Sequence, residues 1–196
     1  MKPISGWDQV QAEQEREPLP LGAYVCRIMG AVEDERPNCS MLAISFDISE
    51  GEYKDYYANN YRSQTGDSKK WKGVIRLFLP REDGSDQDKW TKSRLKAATE
   101  AIESSNKGFR MDLSKEFDLS TLKGKTIGVI YRNEEYSFNG YSGWSARPFK
   151  LYDAEKIRSG EFKLPKDRPL KKDSKPSYSG LDVPFDEIDE DDDLPF

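Results

Sequence analysis

The sequence predicts an all-β domain carrying a single long helix, and three observations lead there. Three stretches rich in alternating or β-branched apolar residues precede one well-capped helical pattern, and two more such stretches follow it. With 34% of its 196 residues charged and 35% hydrophobic, the chain can bury one modest core but not two. Beyond about residue 165 aliphatic side chains thin out, so that core must come from what precedes.

The elements follow in order. From Gly22, "GAYVCRIMGAVEDE" reads as a long strand that Gly30 bends at a bulge and that ends at the charged turn "EDERPN". In "SMLAISFDIS" the period-two spacing of Leu42, Ile44, Phe46 and Ile48 puts four large apolar groups on one face. "EGEYKDYYANNY" reads as an edge or excursion, and "KGVIRLFLP" as a third strand stopped by Pro80. "GSDQDKWTKSRLKAATEAIESSNKG" opens with Ser85 and Asp88 in capping-box spacing, carries Leu95, Ala98 and Ile102 on one stripe, and ends at Asn106 and Gly108. This is the one helix expected. "KGKTIGVIYRNEEY" and "GWSARPFKLYD" are the last two strands, separated by "SFNGYSG" with its Asn139-Gly140 turn signal. Three strands, a helix and two strands is the order of the five-stranded Greek-key barrel called the OB-fold, whose helix plugs the open end of the barrel. A ferredoxin-like sandwich would need a second helix of equal quality, and the pattern supplies none.

Charge divides the chain. Of the 36 acids, eight lie in Asp182–Phe196, which has no base, leaving 28 acids against 31 bases elsewhere. The preceding "FKLPKDRPLKKDSKPSYSG" is rich in proline and lysine and cannot offset its ordering entropy by burial. The expected organisation is an N-terminal extension over 1–17, the barrel over 18–164, a flexible basic linker over 165–181 and an acidic tail over 182–196. No run approaches the roughly 18 apolar residues of a membrane span, and the N-terminus lacks the apolar centre of a signal peptide, so a cytoplasmic location is expected.

Enzyme signatures fail. With no histidine, the usual general base and the Ser-His and Cys-His pairs are missing. Cys26 and Cys39 fall on adjacent strands, could lie close together, and are expected as reduced thiols. "GKT" at Gly124, Lys125 and Thr126 has Leu119 where a phosphate-binding loop needs its leading glycine, and a strand follows it rather than a helix. The acids at Glu33 to Glu35 and at Asn133 to Glu135 sit in expected turns, where solvated charge is the commoner explanation. No catalytic constellation, metal or cofactor is expected.

Aromatic residues interleave with bases in two segments. The first carries Tyr53, Tyr56, Tyr57, Tyr61 and Trp71 among Lys54, Arg62, Lys69, Lys70 and Lys72, with Arg76 just beyond on the third strand. The second carries Tyr131, Tyr136, Phe138, Tyr141 and Trp144 with Arg132 and Arg147. Rings on which bases stack, beside cations that hold phosphates, are the ingredients of sequence-tolerant single-strand binding. In an OB-fold these loops clasp the strand. About half of the rings are expected to pack instead, foremost Tyr131, Tyr53 and one of Tyr56 and Tyr57.

The tail "DEDDDLPF" resembles the acidic tip of bacterial single-stranded DNA-binding proteins, in which an OB-fold is followed by a linker and a short acidic run closing on an aliphatic residue, proline and phenylalanine. That resemblance implies that the ring of Phe196 enters an apolar pocket on replication, recombination and repair enzymes. Leu194 and Pro195 complete the motif, and Asp191, Asp192 and Asp193 meet basic groups around the pocket. "LDVPF" at Leu181 to Phe185 echoes it. The body looks more like the divergent members carried by bacteriophages and prophages, which would act in the bacterial host cytoplasm; homo-oligomerisation stays open. The function this implies is a non-catalytic coat on single-stranded DNA that recruits enzymes through its tip. The alternative is an acidic interaction protein, a DNA mimic or nuclease modulator without affinity for DNA.

Overall fold

The computed structural model describes residues 18–37, 39–65, 68–138 and 140–170. The extension over 1–17, the linker beyond 170 and the acidic tail lie outside the described residues. Five strands, β1 (Ala23–Arg36), β2 (Cys39–Ile48), β3 (Val74–Phe78), β4 (Thr126–Phe138) and β5 (Tyr141–Tyr152), form one antiparallel sheet in the order β3-β2-β1-β4-β5. The edge strands β3 and β5 approach one another without a ladder between them. Among the described residues no helix is long and apolar enough to cross a membrane.

The period-two pattern of β2 does what its spacing demands: Leu42, Ile44, Phe46 and Ile48 are all buried, in one cluster with Cys26 and Ile28 of β1 and Ile127, Val129 and Tyr131 of β4. Burying each large apolar side chain contributes about 1.5–3 kcal/mol. Helix α2 (Asp86–Ser105) lays Leu95, Ala98 and Ile102 onto this cluster. Its start is fixed as the capping spacing requires, with the Ser85 hydroxyl accepting from the Asp88 amide at 3.1 Å.

The expectation of a single helix is corrected by two short ones and a 3-10 turn (Leu119–Leu122). Helix α1 (Tyr56–Arg62) occupies the stretch read as an edge or excursion. Its cap comes from another element: the buried Asp47 carboxylate on β2 accepts from the amides of Tyr57 at 2.9 Å and Ala58 at 3.0 Å. Helix α3 (Ala154–Arg158) is capped by Asp153, which accepts from the Glu155 amide at 2.7 Å. It packs Ala154 and Ile157 on Val25, across the sheet from the main cluster. Gly128 makes that contact possible, because a Cβ there would stand 2.5 Å from Ile157 Cδ1 and 2.7 Å from the Tyr152 carbonyl.

The first strand runs through "EDER" to Arg36 instead of ending there, and its register shifts between Ile28 and Gly30. Cys26 and Cys39 are not neighbours: Cys26 pairs with Ile48 and Cys39 lies at the opposite end of β2, roughly 30 Å along the strand. Both thiols are free.

Two arms leave the shared sheet. β1 pairs with β4 only over Ala23–Arg27, so beyond Gly30 it continues with β2 alone, and β4 beyond Ile130 continues with β5 alone. The outer edge of the β4 arm receives residues of the expected linker: the Arg168 amide donates to the Asn133 carbonyl, the Glu135 amide donates to the Arg168 carbonyl, and the Leu170 amide donates to the Glu135 carboxylate, each at 2.9 Å.

Candidate nucleic-acid interface

The first candidate patch is built on α1 and the segment that returns to β3. Tyr61 is exposed and its ring lies 5.9 Å from that of Trp71, tilted by 49°, with the Lys69 ammonium 5.9 Å from the Tyr61 centroid. Trp71 is half-buried, and its indole Nε1–H donates to the carbonyls of Phe46 and Gly73, both at 3.1 Å. The Gln64 amide clamps the Lys70 backbone from both sides, accepting at 2.7 Å and donating at 2.8 Å. Arg62, Lys70 and Lys72 are exposed around this pair of rings. Gly73 lets the returning chain press against β2 and α1, since a Cβ there would come within 2.3 Å of the Phe46 carbonyl and 2.6 Å of the Tyr57 ring.

The other rings of this segment pack. Tyr57 is only 7% exposed and its hydroxyl meets that of Tyr131 at 2.7 Å inside the core. Burial pushes both phenols well above their ordinary range. Tyr56 is half-buried edge-on against Tyr57, and Tyr53 is half-buried against Tyr24. Tyr57 therefore offers no face to a ligand. Arg76, exposed on β3, points at Asp34 of β1 across 4.0 Å.

The second patch is the β4–β5 arm. Tyr136, Phe138, Tyr141 and Trp144 are all exposed, Tyr141 by 78% and Trp144 by 50%. The register sorts them: Tyr131 faces Pro148, Arg132 faces Arg147, Glu135 faces Trp144 and Phe138 faces Tyr141. Because faces alternate along each strand, Trp144 shares the face of buried Tyr131, whereas Arg132, Tyr136, Phe138, Tyr141 and Arg147 share the opposite one. The sequence placed these residues together on one arm but could not assign them to two faces.

One group was missed altogether. Trp90 and Arg94 of α2 and Phe149 of β5 are half-buried and join Arg132: the Arg94 guanidinium lies 4.7 Å from the Trp90 ring and 5.4 Å from that of Phe149, which Arg132 approaches to 4.1 Å. The signal was present in the i, i+4 spacing of Trp90 and Arg94, which sets both on one helix face. Among the described residues no three Cys, Asp or Glu side chains gather as a metal-binding group. The tip residues Asp191, Asp192, Asp193, Leu194, Pro195 and Phe196 lie outside the described residues.

No protein-family model matches the chain, and no curated protein matches it.

Proposed function

We propose that this chain is a non-catalytic binder of single-stranded DNA built on an OB-type sheet, recruiting replication, recombination and repair enzymes through Asp191–Phe196. The observation that carries the reading is the arm of β4 and β5, a hairpin extending past the shared sheet that exposes four rings, three of them (Tyr136, Phe138 and Tyr141) on the face of Arg132 and Arg147 and Trp144 on the other. A soluble fold gains nothing by exposing such rings together, whereas a strand of unpaired bases stacks on them at about 1–3 kcal/mol per base. The strand order β3-β2-β1-β4-β5, with α2 packed between β3 and β4 in sequence, is that of an OB barrel lacking its last ladder, and it supports the same reading. Recruitment rests on the sequence of the tip alone.

The test is a fluorescence titration with oligo-dT at low and at high salt. Stacking quenches the tryptophan emission, and phosphate contacts make the affinity fall as salt rises. Absence of quenching and of binding at low salt would favour the acidic interaction protein instead.

A further inference from the structure

We infer that Arg168, in the stretch expected to be free linker, is a positioning residue that clamps the root of the β4–β5 arm and so holds its rings ready for bases; the functional part rests on the single-strand-binding reading above. Beyond Ile130 the arm is a two-stranded ribbon, and such a ribbon is marginal on its own. The Tyr131 amide still donates to the Gly22 carbonyl at 2.9 Å. If the register of Ala23 opposite Ile130 ran on, the next bonded rung would set Pro20 opposite Asn133, and proline has no amide to give. Arg168 supplies it. Its amide donates to the Asn133 carbonyl and its carbonyl accepts from the Glu135 amide, in a parallel bridge centred on Glu134. The Leu170 amide adds a bond to the Glu135 carboxylate. Residues 133–135 of β4 are thereby tied just inside Tyr136, where the exposed rings begin.

The clamp has local causes. Phe162, packed with Val25, Ala154 and Ile157, moors the chain six residues earlier. Pro169 biases the residue before it towards extended backbone, the conformation a bridge requires. An arm that is already ordered loses less conformational freedom when a ligand binds, which raises its affinity.

The experiment compares Arg168→Pro with Arg168→Ala in the full chain, since both lack the guanidinium and only the first lacks the amide. Hydrogen exchange is followed by mass spectrometry over the arm, residues 131–148, and over β2 and α2 as references. Affinity for labelled oligo-dT is measured across a salt series. In Arg168→Pro, exchange over the arm should rise about tenfold while β2 and α2 keep parental rates. Its affinity should fall about tenfold below that of Arg168→Ala at the same slope of log K against log salt, because order is lost and no phosphate contact is. Arg168→Ala should exchange like the parent over the arm. Parental exchange in Arg168→Pro overturns the clamp, as does a rise shared equally by β2 and α2. Faster exchange in the arm at the affinity of Arg168→Ala overturns the positioning role. A parent that fails to bind oligo-dT overturns the single-strand reading and the positioning role with it, whereas the clamp itself stands or falls on exchange alone.

Discussion

Tyr57 and Trp144 are separated by what their polar atoms and faces meet, not by residue type. The Tyr57 hydroxyl is spent on the Tyr131 hydroxyl at 2.7 Å, in a part of the core where burial raises both phenols. Tyr57→Phe leaves the Tyr131 hydroxyl buried without that partner, so stability should fall by about 1–3 kcal/mol in urea unfolding. Affinity for oligo-dT should stay at the parental value; a large loss of binding at unchanged stability would move this ring into the interface. Trp144 is half in solvent and is not among the buried residues of the core, so Trp144→Ala should weaken oligo-dT binding by about 1–3 kcal/mol and leave the unfolding midpoint nearly in place. Phe46→Ala, cut from a fully buried site, is the contrasting variant: it should cost about 3–5 kcal/mol of stability. Trp71 combines the two roles, because its indole N–H ties the segment to two backbone carbonyls while its ring lies against Tyr61. Its removal should lower both quantities together.

At the scale of elements, α2 is held at its C-terminal end by the chain that follows it. The Glu103 carboxylate accepts from the Met111 amide at 2.7 Å and from Arg110 at 2.8 Å, and these two bonds, the amide first, hold its pKa below the usual carboxylate range. A carboxyl group whose folded pKa is depressed adds stability that is present above its unfolded value near 4.3 and is lost as pH falls through the folded one. The melting temperature of Glu103→Gln should therefore lie below the parent's near neutral pH, and the gap should narrow as pH drops from about 6 to about 3. A gap that stays constant would mean that the bond to Met111 does not depend on the charge. This anchor also shows what local sequence could reveal. β2, β3 and α2 were legible because period, stop signals and the Ser85 cap are written within the element itself. Helix α1 was not, because its first turn is capped by Asp47 from a strand eight residues upstream of Asp55, where no local capping rule looks. The candidate arm was legible as composition, but the division of its rings between two faces depends on the register of β4 against β5, and the missed cluster depends on where α2 lies against β5.

For the whole molecule the governing quantity is the separation of charge along the chain. Asp182–Phe196 carries eight acids and no base, whereas the rest has 31 bases against 28 acids and sets Arg132 and Arg147 on the face of the exposed rings Tyr136, Phe138 and Tyr141. If the chain binds single-stranded DNA as proposed, fifteen residues joined covalently to it act at high effective concentration, so at low salt their carboxylates should compete with DNA phosphates for the same cations. Removing Asp182–Phe196 should therefore tighten oligo-dT binding at low ionic strength. The gain should shrink as salt rises and the Debye length contracts to about 10 Å at 0.1 M and less beyond. Phe196→Ala changes no charge, so its affinity for oligo-dT should match the parent's in every buffer. Recovery of replication, recombination or repair enzymes by the tethered full chain should fall sharply in that variant, because an aromatic anchor in a pocket carries a large share of the binding energy of a short peptide. The two variants separate the charge proposed to act on the body from the ring proposed to act on a partner. Equal enzyme recovery with and without the Phe196 ring, together with a salt-independent gain on truncation, would deny the tail both roles.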